Sequence, residues 1–177
     1  MKAIIQRVTK ASVTVGDELV SSIGPGLCVL LGISRDDTQK QVEYMVRKIL
    51  NLRVFDEDGK GWDKNVMDKN LEVLCVSQFT LCYILKGNKP DFHQAMAAEQ
   101  SQLLYNSFLE QMRDAYCSDR VKDGRFQAYM QVHIQNDGPI TIPLESPVVV
   151  QDEKQAIKAA KAAAWQPKPK TKPVEDS

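Results

Sequence analysis

Side chains able to do chemistry concentrate in two short segments of this chain. Ser77-Gln78-Phe79-Thr80-Leu81 places three hydrogen-bonding side chains directly after residues 71–76, which read as a buried strand. Groups at the end of a buried strand are where sheets of mixed topology often hold a ligand. A strand that simply frays into polar residues explains the same pattern equally well. Asn136-Asp137-Gly138-Pro139 is the second segment, and its residue types also make ordinary turns. The familiar hydrolase, zinc-protease and nucleotide-cradle signatures (GxSxG, HExxH, GxxxxGK[ST], GxGxxG) are missing. Of the two histidines, His133 sits among apolar neighbours on a strand and reads as structural, and His93 reads as a solvated loop residue. Cys28, Cys75, Cys82 and Cys117 show no CxxC and no paired metal spacing, so they read as buried free thiols in a reducing compartment. No metal site and no cofactor are expected.

The elements that position these groups must come from about one domain, because the chain has 177 residues. Hydrophobic residues at 43% and charged residues at 26% exclude a disordered, collagenous or disulfide-dense chain. Lys+Arg 23 balances Asp+Glu 23, so any nucleic-acid partner must be held by a local patch. The N-terminal residues turn polar after Ile4-Ile5, and the longest apolar run, 27–31, is far short of the roughly 20 residues that span a bilayer. A cytoplasmic protein with no membrane partner is expected, with a nuclear location left open.

Residues 2–8 and 11–15 alternate as two strands, and Gly16-Asp17 can turn the chain. After Gly24-Pro25-Gly26, the run 27–31 reads as a central strand covered on both faces. Thr38 and Gln41 have capping-box spacing, and Val42, Met45, Val46 and Ile49 continue at helical intervals. The spacing of Leu104, Tyr105, Phe108, Leu109 and Met112 predicts a second helix over 99–116. In 129–134, Met130, Val132 and Ile134 alternate with Gln131 and His133, and the chain then turns at 136–139 into Ile140-Thr141-Ile142. This order predicts an α+β fold: a mixed or antiparallel sheet, or partial barrel, with two main helices packed on it. A boundary falls near Pro147, dividing a domain at 1–146 from a flexible Pro/Lys/Ala-rich tail at 147–177. That tail carries four of the eight prolines and six lysines against four acids.

Taken together, Met1-Lys2-Ala3-Ile4-Ile5-Gln6-Arg7-Val8, Ser77-Gln78-Phe79-Thr80-Leu81 and Asn136-Asp137-Gly138-Pro139-Ile140-Thr141 resemble the D-aminoacyl-tRNA deacylase family. Lys86-Gly87-Asn88-Lys89-Pro90-Asp91-Phe92 and the stretch 131–136 are similar to its animal form. Ser77 and Phe79 argue against a paralogous animal version that has a different residue pair before its Thr-Leu. The resemblance covers residues 1–146 and leaves the tail outside.

Such a resemblance implies a homodimeric hydrolase that cleaves the ester joining a D-amino acid, or glycine, to the terminal adenosine of tRNA. It implies that Ser77, Gln78, Phe79 and Thr80 line the pocket, with Met130 beside them. Gly138 and Pro139, joined by a cis bond, would reach into the second subunit's pocket and screen chirality. Backbone N–H groups near Phe79 and Thr80, helped by Gln78, would meet the developing oxyanion. Thr80 is the one candidate side-chain nucleophile, yet no base is evident beside it, so orienting water stays open as its role. The lysine-bearing tail is a candidate for further nucleic-acid contact. A nucleic-acid-binding or scaffolding protein acting through that tail is the alternative function.

Overall fold

The alternation in residues 2–15 produces one strand where the sequence suggests two. In the computed structural model, which describes residues 1–148, β1 (Lys2–Val15) runs unbroken because two different strands share one of its edges. Its first half pairs antiparallel with β3 (Gly26–Gly32), and its second half pairs with β2 (Glu18–Ile23) beyond the turn at Gly16-Asp17. Along the other edge lies β10 (Gln131–Glu145). β6 (Glu72–Ser77) and β9 (Val121–Asp123) extend the sheet parallel to β3.

The six-stranded sheet therefore has the order β10-β1-β3-β6-β9, with β2 beside β1. The Ser21 hydroxyl on β2 donates to the Asp123 carbonyl on β9 at 2.7 Å. That link draws distant strands together, and the sheet curls into a nearly closed barrel. Two hairpins pair only within themselves: β4 (Phe55–Glu57) with β5 (Lys60–Lys64), and β7 (Ile84–Lys86) with β8 (Lys89–Asp91).

Thr38 caps α1 (Gln39–Asn51) and Gln41 completes the capping box, its Oε1 2.8 Å from the Thr38 N–H. α2 (Ala98–Ala115) buries Tyr105, Phe108, Leu109 and Met112, and Leu104 only in part. Both helices cover the outer face of the sheet, where Leu27, Val29, Leu31, Val73 and Cys75 meet them. Cys28, Leu74, Val76, Val8 and Val13 fill the other face. The interiors of strands β3 and β6, residues 27–31 and 73–76, are apolar because each is covered on both sides. Phe108 is fully buried, so its truncation to alanine would cost about 3–5 kcal/mol.

Two expectations need correction. Asn136-Asp137-Gly138-Pro139 does not reverse the chain, because β1 remains the neighbour of β10 on both sides of it. Pairing steps from Val8↔Asn136 to Gln6↔Thr141, so residues 137–140 bulge out opposite Arg7 alone. Gly138, at φ +120, takes a conformation that suits glycine. His133 is exposed, not enclosed: Met130, Val132 and Ile134 pack inward, and the alternate residues Gln131, His133 and Gln135 face solvent. His93 is also exposed, against Asp91. All four cysteines are free, three of them buried, and burial pushes the Cys28 thiol up to about 12. The tail expected from Pro147 onward lies outside the described residues beyond Val148.

Candidate functional site

Parallel strands β3 and β6 end side by side, and the polar segment leaves from that end. The Gln78 N–H donates to the Leu31 carbonyl at 2.7 Å, extending the ladder one residue past Ser77. The chain then folds into a 3-10 turn, Phe79–Cys82, closed by the Leu81 N–H on the Gln78 carbonyl at 3.2 Å. This turn sits directly on Gly32. A Cβ there would come within 2.9 Å of both the Gln78 oxygen and the Leu81 Cβ, so the missing side chain is what lets the turn settle. The Gln78 carboxamide donates to the Thr80 hydroxyl in a short contact.

Two further segments complete the enclosure. The stretch 92–96 lies beside the end of β3, with the Met96 N–H on the Ile33 carbonyl at 3.0 Å and the Arg35 N–H on the Gln94 carbonyl at 2.9 Å. The loop after β9 is anchored by the Gly124 N–H on the Cys75 carbonyl at 3.0 Å. Here again glycine makes room, since a Cβ on Gly124 would meet the Met130 sulfur at 2.7 Å. These segments border a cavity of about 490 Å³ with walls from Leu31, Ile33, Val76, Met96, Phe126 and Val132. Ser77, Gln78, Ser101 and Gln127 add polar groups. Phe79 and Tyr129 also line it, yet are 59% and 90% exposed.

Of the residues singled out in the sequence, Ser77, Gln78, Phe79 and Met130 meet in this cavity. Thr80 is not part of its lining and touches the site through Gln78. Gly138 and Pro139 are exposed and do not line the cavity of their own chain; the peptide bond between them is cis. Arg7 ties their bulge to the body of the protein. Its guanidinium donates to the Val54 carbonyl at 2.7 Å and the Asp137 carbonyl at 3.3 Å, and lies 3.1 Å from the Asp137 carboxylate. Sequence reasoning assigns no role to Arg7, Gly32, Gly124 or Tyr129, although Arg7 stands in the N-terminal motif and Gly32 ends an apolar run.

Among the described residues, the lining contains no carboxylate, imidazole, ammonium, guanidinium or thiol. It therefore suits binding, orientation and charge stabilisation by neutral donors, not general acid–base exchange by a side chain. The N–H groups of Phe79 and Thr80 open the 3-10 turn, where no acceptor within the turn can reach them. Among the described residues no other acceptor takes them.

Similarity to known proteins extends over both the cavity and the bulge. The D-Tyr-tRNA(Tyr) deacylase family matches residues 4–145. A Homo sapiens protein named D-aminoacyl-tRNA deacylase 1 is 62% identical over 181 residues, covering 100% of this chain and 87% of that protein. A Drosophila melanogaster D-aminoacyl-tRNA deacylase is 67% identical over 147 residues, 83% of this chain and 93% of its own length. A solved structure named "c-Myc DNA Unwinding Element Binding Protein" aligns with a TM-score of 0.81 at 70% identity, covering 83% of this chain and 99% of that one. Another, described as a probable eukaryotic D-amino acid tRNA deacylase, aligns with a TM-score of 0.72 at 20% identity, over 81% of this chain and 97% of that one, and shares the fold.

Proposed function

Because the chain belongs to the D-Tyr-tRNA(Tyr) deacylase family, we propose that it is a tRNA-proofreading hydrolase, splitting the ester between a D-amino acid, or glycine, and the 3′-terminal adenosine of tRNA. The observation that carries this reading is the meeting of Ser77, Gln78, Phe79 and Met130 in one cavity. The ester enters that cavity across its open rim. As the ester oxygen gains negative charge, the N–H groups of Phe79 and Thr80 and the Gln78 amide meet it; losing one such donor costs about 2.7–4 kcal/mol. Thr80 orients the attacking water through its contact with Gln78. Since the lining supplies no base, a ribose hydroxyl of the substrate assists, and the reaction runs in the cytoplasm, where charged tRNA is used.

Gly138 and Pro139 do not line the cavity of their own chain, so in this reading they serve a second copy in a homodimer. Their main-chain oxygens hold the α-ammonium of the substrate. With the ammonium and the ester both fixed, only one substituent on Cα points into open space. A D side chain takes that direction, an L side chain is driven against main chain, and glycine passes. Rejection by main chain works on every L residue, whatever its side chain. Arg7 keeps the bulge aimed.

Incubation with D-Tyr-tRNA and L-Tyr-tRNA tests the proposal. Hydrolysis of the first with the second left intact is expected; equal hydrolysis of both, or of neither, overturns it. One observation favours a second role, since the solved relative at 70% identity is named for binding a DNA unwinding element. Here that role would fall to the lysines of residues 147–177. A chain ending at Ser146 that keeps deacylation but loses nucleic-acid binding would separate the two roles.

A further inference from the structure

We propose that Tyr129 is a stacking platform for the nucleotide preceding the terminal adenosine, so that the protein grips the single-stranded 3′ end of the tRNA as well as the ester. This inference rests on the deacylase reading above. Tyr129 lines the cavity yet is 90% exposed. A ring of this size normally gains free energy by burial, and among the described residues no apolar surface covers this one. Its hydroxyl has no hydrogen-bond partner among the described residues.

The loop that presents the ring is held, not frayed. The Ala128 N–H donates to the Arg125 carbonyl at 3.2 Å, the Arg125 N–H meets the Met130 sulfur at 3.3 Å, and the Arg125 guanidinium binds Glu18 at 2.8 Å. Gln127, at φ +61, adopts a left-handed conformation that only a well-determined loop keeps. A platform already fixed in place loses little entropy when a base lands on it.

The path of the substrate gives the ring its occupant. An aminoacyl ester inside the cavity leaves the RNA chain to exit over the rim, where Phe79 and Tyr129 are the exposed aromatics. Phe92 braces Phe79 edge-on at 5.2 Å, whereas no ring packs against Tyr129 among the described residues. Aromatic faces are how proteins hold unpaired bases without reading their identity. The nearest cation on this loop, Arg125, is already bound by Glu18. The contact is therefore stacking, and its contribution should change little with salt.

The test compares Tyr129→Ala and Tyr129→Trp in the full chain, on D-Tyr-tRNA and on D-tyrosyl-adenosine, which lacks the preceding nucleotide. For Tyr129→Ala, KM for the tRNA should rise by about fivefold or more, the loss of one stacked base, with kcat little changed. Kinetics on D-tyrosyl-adenosine should change far less than those on the tRNA, and Tyr129→Trp should restore the tRNA value at both low and high salt. Equal effects on the two substrates, no effect on either, or a Tyr129→Ala chain whose sedimentation shows lost self-association would overturn the proposal. A deacylated RNA hairpin with a four-nucleotide 3′ overhang keeps the outcomes apart. Should the unaltered chain hydrolyse neither substrate yet bind that RNA through Tyr129, the deacylase reading fails and the platform stands; if it also fails to bind, both fail.

Discussion

Replacing Arg7 with leucine removes the side chain that ties the Gly138-Pro139 bulge to the rest of the fold. The side chain is only 15% exposed, while that of Asp137 is 46% exposed. Its hydrogen bond to the Val54 carbonyl is short, at 2.7 Å, and the one to the Asp137 carbonyl is long, at 3.3 Å. A hydrogen bond from a charged group contributes about 1.5–3 kcal/mol, and a half-exposed ion pair contributes less than about 1 kcal/mol. The Val54 contact therefore dominates, and a total loss of about 2 kcal/mol is expected. In a chain of this size that lowers Tm by about 4–8 °C, read by circular dichroism. The same 2 kcal/mol bounds the bias the tether can place on the bulge, so selectivity for D-Tyr-tRNA over L-Tyr-tRNA should fall by up to roughly thirtyfold. Single-turnover hydrolysis of both substrates measures it. Asp137→Asn keeps the Val54 contact and should change both quantities far less. An Arg7→Leu chain that melts at the lower temperature but keeps full selectivity would show that Arg7 serves stability alone and refute the positioning argument.

Three further outcomes follow from the same geometry. Gly32→Ala pushes a methyl group to within 2.9 Å of the Gln78 oxygen, so it should lower stability by about 1–3 kcal/mol and displace the turn that carries the site; unchanged melting and hydrolysis would contradict this. Thr80→Ala should slow hydrolysis but leave measurable turnover, and acid quench of the unaltered chain should trap no threonyl ester, because among the described residues Gln78 alone contacts the hydroxyl; an adduct on the unaltered chain would restore the nucleophile. Burial raises the thiols of Cys28, Cys75 and Cys82, so at pH 8 a thiol reagent should modify the native protein quickly at Cys117 alone, and rapid reaction at all four would contradict the buried placement. The folded state then holds thiol protons that the unfolded chain releases above about pH 8.5, so stability should decline as pH rises past that value.

Local patterns are legible in the sequence where local physics decides. Thr38 and Gln41 announce the start of α1, the spacing through Met112 announces α2, and the apolar residues at 27–31 and 73–76 become strands covered on both faces. Ser77, Gln78 and Phe79 stand out because polar groups follow an apolar run without a gap, and the end of β6 brings them to a cavity. What escapes depends on contacts between distant residues. Turn-forming residues at 136–139 serve equally well in a bulge, and the choice lies with β1, on the far side of the sequence. Nothing near Arg7 hints at Val54 or Asp137, and nothing near Gly124 hints that the Met130 sulfur will fill its place. His133 looks enclosed because its neighbours in sequence are apolar, whereas it lies on the face of β10 opposite Met130, Val132 and Ile134, which pack inward.

A site shared between two copies can be tested by complementation. Gln78→Ala/Thr80→Ala damages the cavity, and Gly138→Ala damages the bulge, where a Cβ would lie 3.0 Å from the Ile140 side chain. Refolded together in equal amounts, half of the dimers are mixed, and each of these carries one undamaged cavity facing one undamaged bulge. D-selective hydrolysis should then recover to about a quarter of that of the unaltered protein, as expected for a twofold assembly with reciprocal sites. Activity no greater than the mean of the two variants measured alone would mean that each chain works with its own Gly138 and Pro139, or without them.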